Sequence, residues 1–240
     1  LGAVYVLEQT ADGIVAQEIS RTDKRTFVHE VEIGDIDGDG LVEFFTTPSE
    51  PNKLDGNEQA GDIDRFRWDG TNYQRTVAAH MPDRHAKEIL VVDYDGDGKC
   101  ELYAALEAEG LVGDDAVVIL RQWKWDGAGL IATADIHLEG VMCRFLNLAD
   151  TNGDGVNEII ASTRDAGIFE AHMIGDSWVA NKIVPGYISG GFEHATMTMD
   201  WDGDGKDELF VSSDDQKKLR RFWHVDGKKT FDKEDIADFS

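Results

Sequence analysis

Asp35, Asp37, Asp39 and Glu43 stand at positions one, three, five and nine of a loop in GDIDGDGLVEFF (34–45), with Gly38 and Gly40 between them. Alternating carboxylates in a tight turn can all point at one centre. A hard cation such as calcium takes six to eight oxygen ligands at about 2.3–2.6 Å, which is what such a turn offers. The two glycines allow the positive φ that the turn needs. The seventh residue, Leu41, is expected to donate a backbone carbonyl, which leaves its side chain free to vary. Magnesium prefers a stricter octahedron with retained waters, so calcium is favoured.

The pattern occurs four times. The second copy offers Asp93, Asp95, Asp97, Lys99 and Glu101. The third offers Asp150, Asn152, Asp154, Val156 and Glu158, and the fourth Asp200, Asp202, Asp204, Lys206 and Glu208. Asn152 still supplies an oxygen in place of the third aspartate. An EF-hand loop would close with a glutamate at position twelve and would lie between helices. Thr46, Ala104, Ala161 and Val211 occupy position twelve, which excludes that reading. The flanks are strand-like instead: HEVEIG, EILVV, RFLNLA and ATMTM before the loops, and EFFTT, ELYAAL, EIIAST and ELFVSS after them. Each loop therefore reads as the tip of a β-hairpin.

A second turn recurs out of phase with the first. Asp12-Gly13, Asp69-Gly70, Asp126-Gly127, Gly175-Asp176 and Asp226-Gly227 each sit between aromatic or β-branched residues, which marks another hairpin. One repeat unit is then two hairpins, or four antiparallel strands, in about 40–60 residues, the pattern of a β-propeller blade. The expected fold is all-β, a small propeller of four-stranded antiparallel blades in a single domain over 1–240. Residues 1–28 give a half blade, and 29–84, 85–140, 141–190 and 191–240 give the repeat units. Five Asp-Gly hairpins against four acidic hairpins point to about five blades, the first or last incomplete; a ring closed on four blades with 1–28 packed outside it, or part of a larger propeller, are the alternatives. The absence of a sustained 3.6-residue apolar period leaves little helix. The polar stretch 47–64, with Pro48 and Pro51, is the longest loop candidate.

A D-x-D-G-D-G-x-x-E loop between strands, repeated at blade spacing, resembles the FG-GAP and VCBS repeats, which include the calcium-binding blades of integrin α-subunits. The resemblance covers 29–240 and, more weakly, 1–28. It implies that the acids and the amide at positions one, three, five and nine bind about four calcium ions. The chain departs from the family in using Glu at every ninth position, and F-G and G-A-P signatures are not evident. Functions implied by the resemblance are adhesion, ligand recognition, and the scaffold of some polysaccharide-acting enzymes.

The formal net charge of −25 over 240 residues excludes a nucleic-acid surface and disfavours an anionic membrane surface. No apolar run is long enough to span a membrane. Leu1 fits a processed chain, and low-affinity calcium loops suit an extracellular or periplasmic setting, or a cell surface. Cys100 and Cys143 are expected as free buried thiols rather than a bridge.

No catalytic set is evident. His29, His85 and His194 precede three of the loops and are expected to hydrogen-bond between blades; a ring of metal-ligating or basic histidines is the alternative. Trp68, Trp123, Trp125, Trp178 and Trp223 are expected in the core, Trp201 partly exposed, and KKLRRFWH (217–224) as a solvated strand face. The expected function is a noncatalytic calcium-binding module for adhesion, recognition or assembly, with an unknown protein or glycan ligand, inside a larger extracellular assembly. The alternatives are a lyase-like polysaccharide-acting enzyme, or a lectin, built on the same propeller.

Overall fold

The computed structural model describes residues 2–22, 26–49, 60–107, 117–164, 166–186, 193–213 and 216–239, without the side chains of residues 193 and 194. Most of the 47–64 loop candidate (residues 50–59) lies outside them, while Thr47–Ser49 and Gly61–Asp64 belong to strands. The described residues contain β-strands and no helix. β1 (Ala3–Thr10) and β2 (Gly13–Arg21) form a two-stranded sheet. The other strands form four-stranded antiparallel meanders. β3 (Phe27–Gly34), β4 (Glu43–Ser49), β5 (Gly61–Trp68) and β6 (Tyr73–Met81) make one, and β7 (Ala86–Val92), β8 (Glu101–Leu106), β9 (Val117–Trp125) and β10 (Leu130–Glu139) the next. β11 (Cys143–Ala149), β12 (Glu158–Thr163), β13 (Gly167–Ile174) and β14 (Ser177–Pro185) follow, then β15 (Glu193–Met199), β16 (Glu208–Ser213), β17 (Lys218–Trp223) and β18 (Asp232–Asp238).

Each meander is an acidic hairpin followed by an Asp-Gly hairpin. The acidic loops join the first two strands, and the Asp-Gly turns join the last two. Asp69 and Asp126 show how those turns hold. Each carboxylate accepts N–H bonds from two residues just ahead, Thr71 and Asn72 or Ala128 and Gly129. This is the local bonding that makes Asp a turn residue.

Two compact units are present. The first comprises Leu1–Ala104 with Gln122–Thr133, the second Ala105–Arg121 with Ala134–Ser240. In the first, β3 packs on β7. Gly34 makes the close approach possible: a Cβ there would lie 2.5 Å from Val91 Cγ1 and 2.9 Å from Cys100 Sγ. In the second, β11 packs on β15, and Ala149, Ile160, Ile168, Leu209, Val211 and Phe222 form a buried cluster. β8 and β12 are buried along their whole length, so ELYAAL and EIIAST do not alternate as a half-exposed strand would.

Cys100 and Cys143 are both free thiols, Cys143 buried and Cys100 half-buried. Trp123 is buried, Trp68 is 38% exposed and Trp201 64% exposed. The solvated-face expectation for 217–224 is corrected. Arg220 is buried against Asp235, and Arg221 turns into the fourth acidic loop, because alternate strand residues face alternate sides of the sheet. Replacing Gly34 by Ala is expected to cost about 2 kcal/mol by overpacking the β3–β7 contact, measured as a shift in the urea midpoint.

Candidate metal centres

The four acidic loops share one internal hydrogen-bond scheme. The first aspartate organises the turn. Asp35 accepts from the N–H groups of Gly38, Asp39 and Gly40, and Asp150 from those of Gly153, Asp154 and Gly155. Asp200 accepts from Gly203 and Gly205, and Asp93 from Gly98. The fifth residue accepts from the seventh: Asp39 from Leu41, Asp97 from Lys99, Asp154 from Val156 and Asp204 from Lys206. Both glycines of every loop have positive φ, between 74° and 89°. Their spacing in the sequence is thus a conformational requirement.

The ninth residue closes the loop from below. Glu43, Glu101, Glu158 and Glu208 are each 1–3% exposed. Each accepts the backbone N–H of the second loop residue, Ile36, Tyr94, Thr151 and Trp201 respectively, at 2.8–3.1 Å. Burial raises the pKa values of Glu43 and Glu101, and pushes that of Glu158 up to about 7.

Loops also join in pairs within each unit. The carbonyl of Asp35 accepts the N–H of Cys100 at 2.9 Å, and the carbonyl of Asp150 accepts that of Asp207 at 2.8 Å. In the first unit the carboxylates of Asp35, Asp37 and Asp39 converge, as do those of Asp93, Asp95 and Glu101. In the second, those of Asp200, Asp202 and Asp204 converge. In each group one oxygen per residue lies within 4.8 Å of the others, the hard-oxygen donor set that suits calcium. The third loop has Asn152 in place of the third aspartate, and its amide donates to Glu158 at 2.9 Å.

Basic residues on the third strands, which the sequence reading missed, complete three of the loops. Arg65 donates to both Asp37 and Glu43, and Arg67 to Asp39. Lys124 contacts Asp95 at 2.6 Å and Glu101 at 3.2 Å. Arg221 contacts Asp202 at 2.7 Å and Glu208 at 2.5 Å. The hydrogen bonds of Arg67 and Lys124 hold Asp39 and Asp95 below the usual carboxylate range. At the matching register the third sheet carries Glu170 instead, whose charge adds to the rise at Glu158. The signal was available once the hairpins were paired. Arg65 lies opposite Phe45, Glu170 opposite Ile160 and Arg221 opposite Phe210, the eleventh position of each repeat.

His29 is exposed beside Phe27, with ring centroids 5.6 Å apart, His85 is buried, and the side chain of His194 lies outside the described residues. In calcium-free buffer Arg65→Met is expected to cost about 3 kcal/mol, because it leaves Glu43 buried without its cation. Arg67→Met, at a half-exposed side chain, should cost under about 1 kcal/mol. Paired denaturation curves give both values.

No protein-family model matches the chain. It is 27% identical over 235 residues to the rhamnogalacturonan exolyase YesX of Bacillus subtilis (strain 168), a match covering 77% of this chain and 38% of that protein. It is 32% identical over 80 residues to the rhamnogalacturonan endolyase YesW of the same organism, covering 31% of this chain and 13% of that one. The crystal structure of the exotype rhamnogalacturonan lyase YesX superposes with a TM-score of 0.54 at 17% identity, over 92% of this chain and 48% of that one. The chain therefore spans less than half the length of the relatives it matches, and the structural likeness speaks for the fold alone.

Proposed function

We propose that residues 1–240 form part of a polysaccharide-acting enzyme of the lyase kind, working on an acidic galacturonan-type polymer. The observation that carries this reading is the 27% identity to a rhamnogalacturonan exolyase across 77% of the chain. It displaces the noncatalytic adhesion module as the favoured reading. Both relatives named above are lyases, and the acidic loops that suggested an adhesion module serve equally as scaffold. The four meanders are read as propeller blades, in keeping with the FG-GAP and VCBS resemblance. Support comes from their common strand order and from the first-strand contacts β3 on β7 and β11 on β15. Work on an extracellular polymer suits a secreted or cell-surface location.

The loops are read as calcium sites. Asp35, Asp37, Asp39, Asp93, Asp95, Glu101, Asp200, Asp202 and Asp204 would hold the ions in the first, second and fourth loops. In the third, Asp150, Asp154, Glu158 and the Asn152 oxygen are the available donors. Bound calcium would supply positive charge that cancels repulsion among the loop carboxylates. The chain's own part is to hold the donors in place through Asp35 and its counterparts, and to seal each loop with a buried glutamate. Because the chain carries a net charge of −25, an acidic polymer is repelled unless cations intervene.

Calcium titration with calorimetry is expected to find about four ions per chain, and chelation to lower the melting temperature by at least about 10 °C. A chelator-insensitive melt with no bound ion removes the metal reading. Elimination in a polyuronate leaves an unsaturated, ultraviolet-absorbing end. Incubating the chain with rhamnogalacturonan in calcium and following that absorbance tests the enzyme reading. Turnover places the chemistry within 1–240. Saturable binding without turnover makes the segment a scaffold and polymer-holding part. Neither binding nor turnover overturns the proposal.

A further inference from the structure

In the four-stranded sheets the last two strands are joined by Asp-Gly turns, and three of these are short. They take residues 69–72 between β5 and β6, 126–129 between β9 and β10, and 175–176 between β13 and β14. The fourth takes residues 224–231 between β17 and β18. It is also built differently. Asp226 accepts from the ammonium of Lys206 at 3.0 Å, and the N–H of Lys228 closes the turn on the carbonyl of Val225 at 3.0 Å. The added length folds back onto the preceding sheet. Phe231 donates its N–H to the carbonyl of Ile183 on β14 at 3.0 Å and packs against the buried cluster that includes Ile183 and Phe222. The other three sheets close without such a loop, so the meander itself does not require it, and an elaborated loop on a regular scaffold is where binding residues collect.

Between this loop and the β13–β14 pair lies an open cavity of about 340 Å³, room for a sugar-sized ligand. All of it belongs to the second compact unit. β14 contributes Asn181 and Lys182, β13 contributes Glu170, and the loop contributes Lys228, Lys229 and the apolar Phe231. The chain has 23 lysines and arginines against 48 acids, so three lysines on one cavity run against its overall charge. Lys182 is bonded to Glu139 and Lys228 to Asp232, which holds two of the ammonium groups in place. Lys229 is exposed and has no ion-pair partner among the described residues. Asn181 donates to Glu170 at 3.3 Å, so the cavity presents a donor and an acceptor side by side. A uronic acid asks for this set: a cation for its carboxylate, a donor and an acceptor for its hydroxyls, and an apolar side chain for its C–H face.

We propose that the cavity between the 224–231 loop and β14 binds a galacturonate residue of an acidic polymer, with Lys182 and Lys229 on the carboxylate and Asn181 and Glu170 on ring hydroxyls. The proposal rests on reading the chain as part of an enzyme that works on a galacturonan-type polymer, and it gives that reading a holding site. A chain of net charge −25 repels a polyanion. Here its own lysines take the part of the intervening cation.

Trigalacturonate is the probe, titrated into the 1–240 chain in calcium with amide NMR signals as the readout. Saturable shifts are expected at Asn181, Lys182, Lys228 and Lys229. Lys229→Gln should weaken binding at least about threefold, the scale of one exposed ion pair, and combining it with Lys182→Gln should weaken it at least about tenfold. The exposed Lys229 can be replaced without changing the melt, which separates lost binding from lost folding. The methyl ester of trigalacturonate keeps the hydroxyls and loses the charge, so it should bind more weakly than the acid. Absence of shifts at these residues, an affinity unchanged in the double variant, or equal affinity for the ester each overturns the proposal. So does sulfate that produces the same saturable shifts at the same concentration, which would make the cavity a simple anion site. Turnover of rhamnogalacturonan is read separately by ultraviolet absorbance. A chain that turns over the polymer yet shows no shift at this cavity loses the site and keeps the enzyme reading.

Discussion

The structure is organised around a carboxylate placed where water barely reaches it. Each second strand begins with a glutamate that is 1–3% exposed and bonded to the backbone at the start of its own acidic loop. Burying a carboxylate costs several kcal/mol unless hydrogen bonds and opposite charge compensate it. The loop supplies the hydrogen bond, and the third strand supplies the charge through Arg65, Lys124 or Arg221. One group therefore ties together the loop, the first hairpin and the second hairpin of a sheet. Loss of either the hydrogen bond or the charge would raise the cost of keeping the glutamate buried.

The third sheet solves the same problem with different residues. Where the other loops have aspartate at the third position, this one has Asn152, and where the first and fourth sheets have arginine, it has Glu170. Asn152 donates to Glu158, and Thr151 adds both its N–H and its hydroxyl. Burial, with the charges of Glu170 and Asp154 adding to it, pushes the pKa of Glu158 up to about 7. The same backbone hairpin thus carries two electrostatic designs. In one, a chain cation clamps the third and ninth carboxylates. In the other, neutral donors, with Asn152 at the third position among them, hold the ninth carboxylate.

Most of the strand plan was legible in the sequence because two kinds of turn punctuate it. Gly38, Gly40 and their counterparts need positive φ, and Asp69 and Asp126 need their Asx bonds, so both kinds of turn are fixed by local chemistry. The all-β class and the four acidic hairpins follow from that punctuation. What escaped was non-local. Arg221 looked like part of a solvated run because its partners, Asp202 and Glu208, are brought to it only when β16 pairs with β17. The exposed side of β3 was hidden for the same reason. Val31 and Ile33 lie in the strand-like HEVEIG segment, and only packing reveals which of its faces lacks a cover.

Function divides along the same line between local and non-local information. The loops advertise themselves in sequence because their chemistry is compact: four oxygen donors in nine residues, set by backbone rules. They are also largely committed to their own architecture. Their first aspartates hold backbone N–H groups, and three of their ninth glutamates hold chain cations. Such groups suit an ion or a scaffold better than a reacting sugar. Chemistry on a polymer needs an acid–base pair and a binding cleft drawn from distant segments, and no spacing rule in 240 residues exposes that. The chain's similarity to rhamnogalacturonan lyases and its acidic, loop-stapled sheets are therefore compatible statements. The loops account for how the sheets hold together, and any chemistry on a polymer would need contacts that the repeats do not encode.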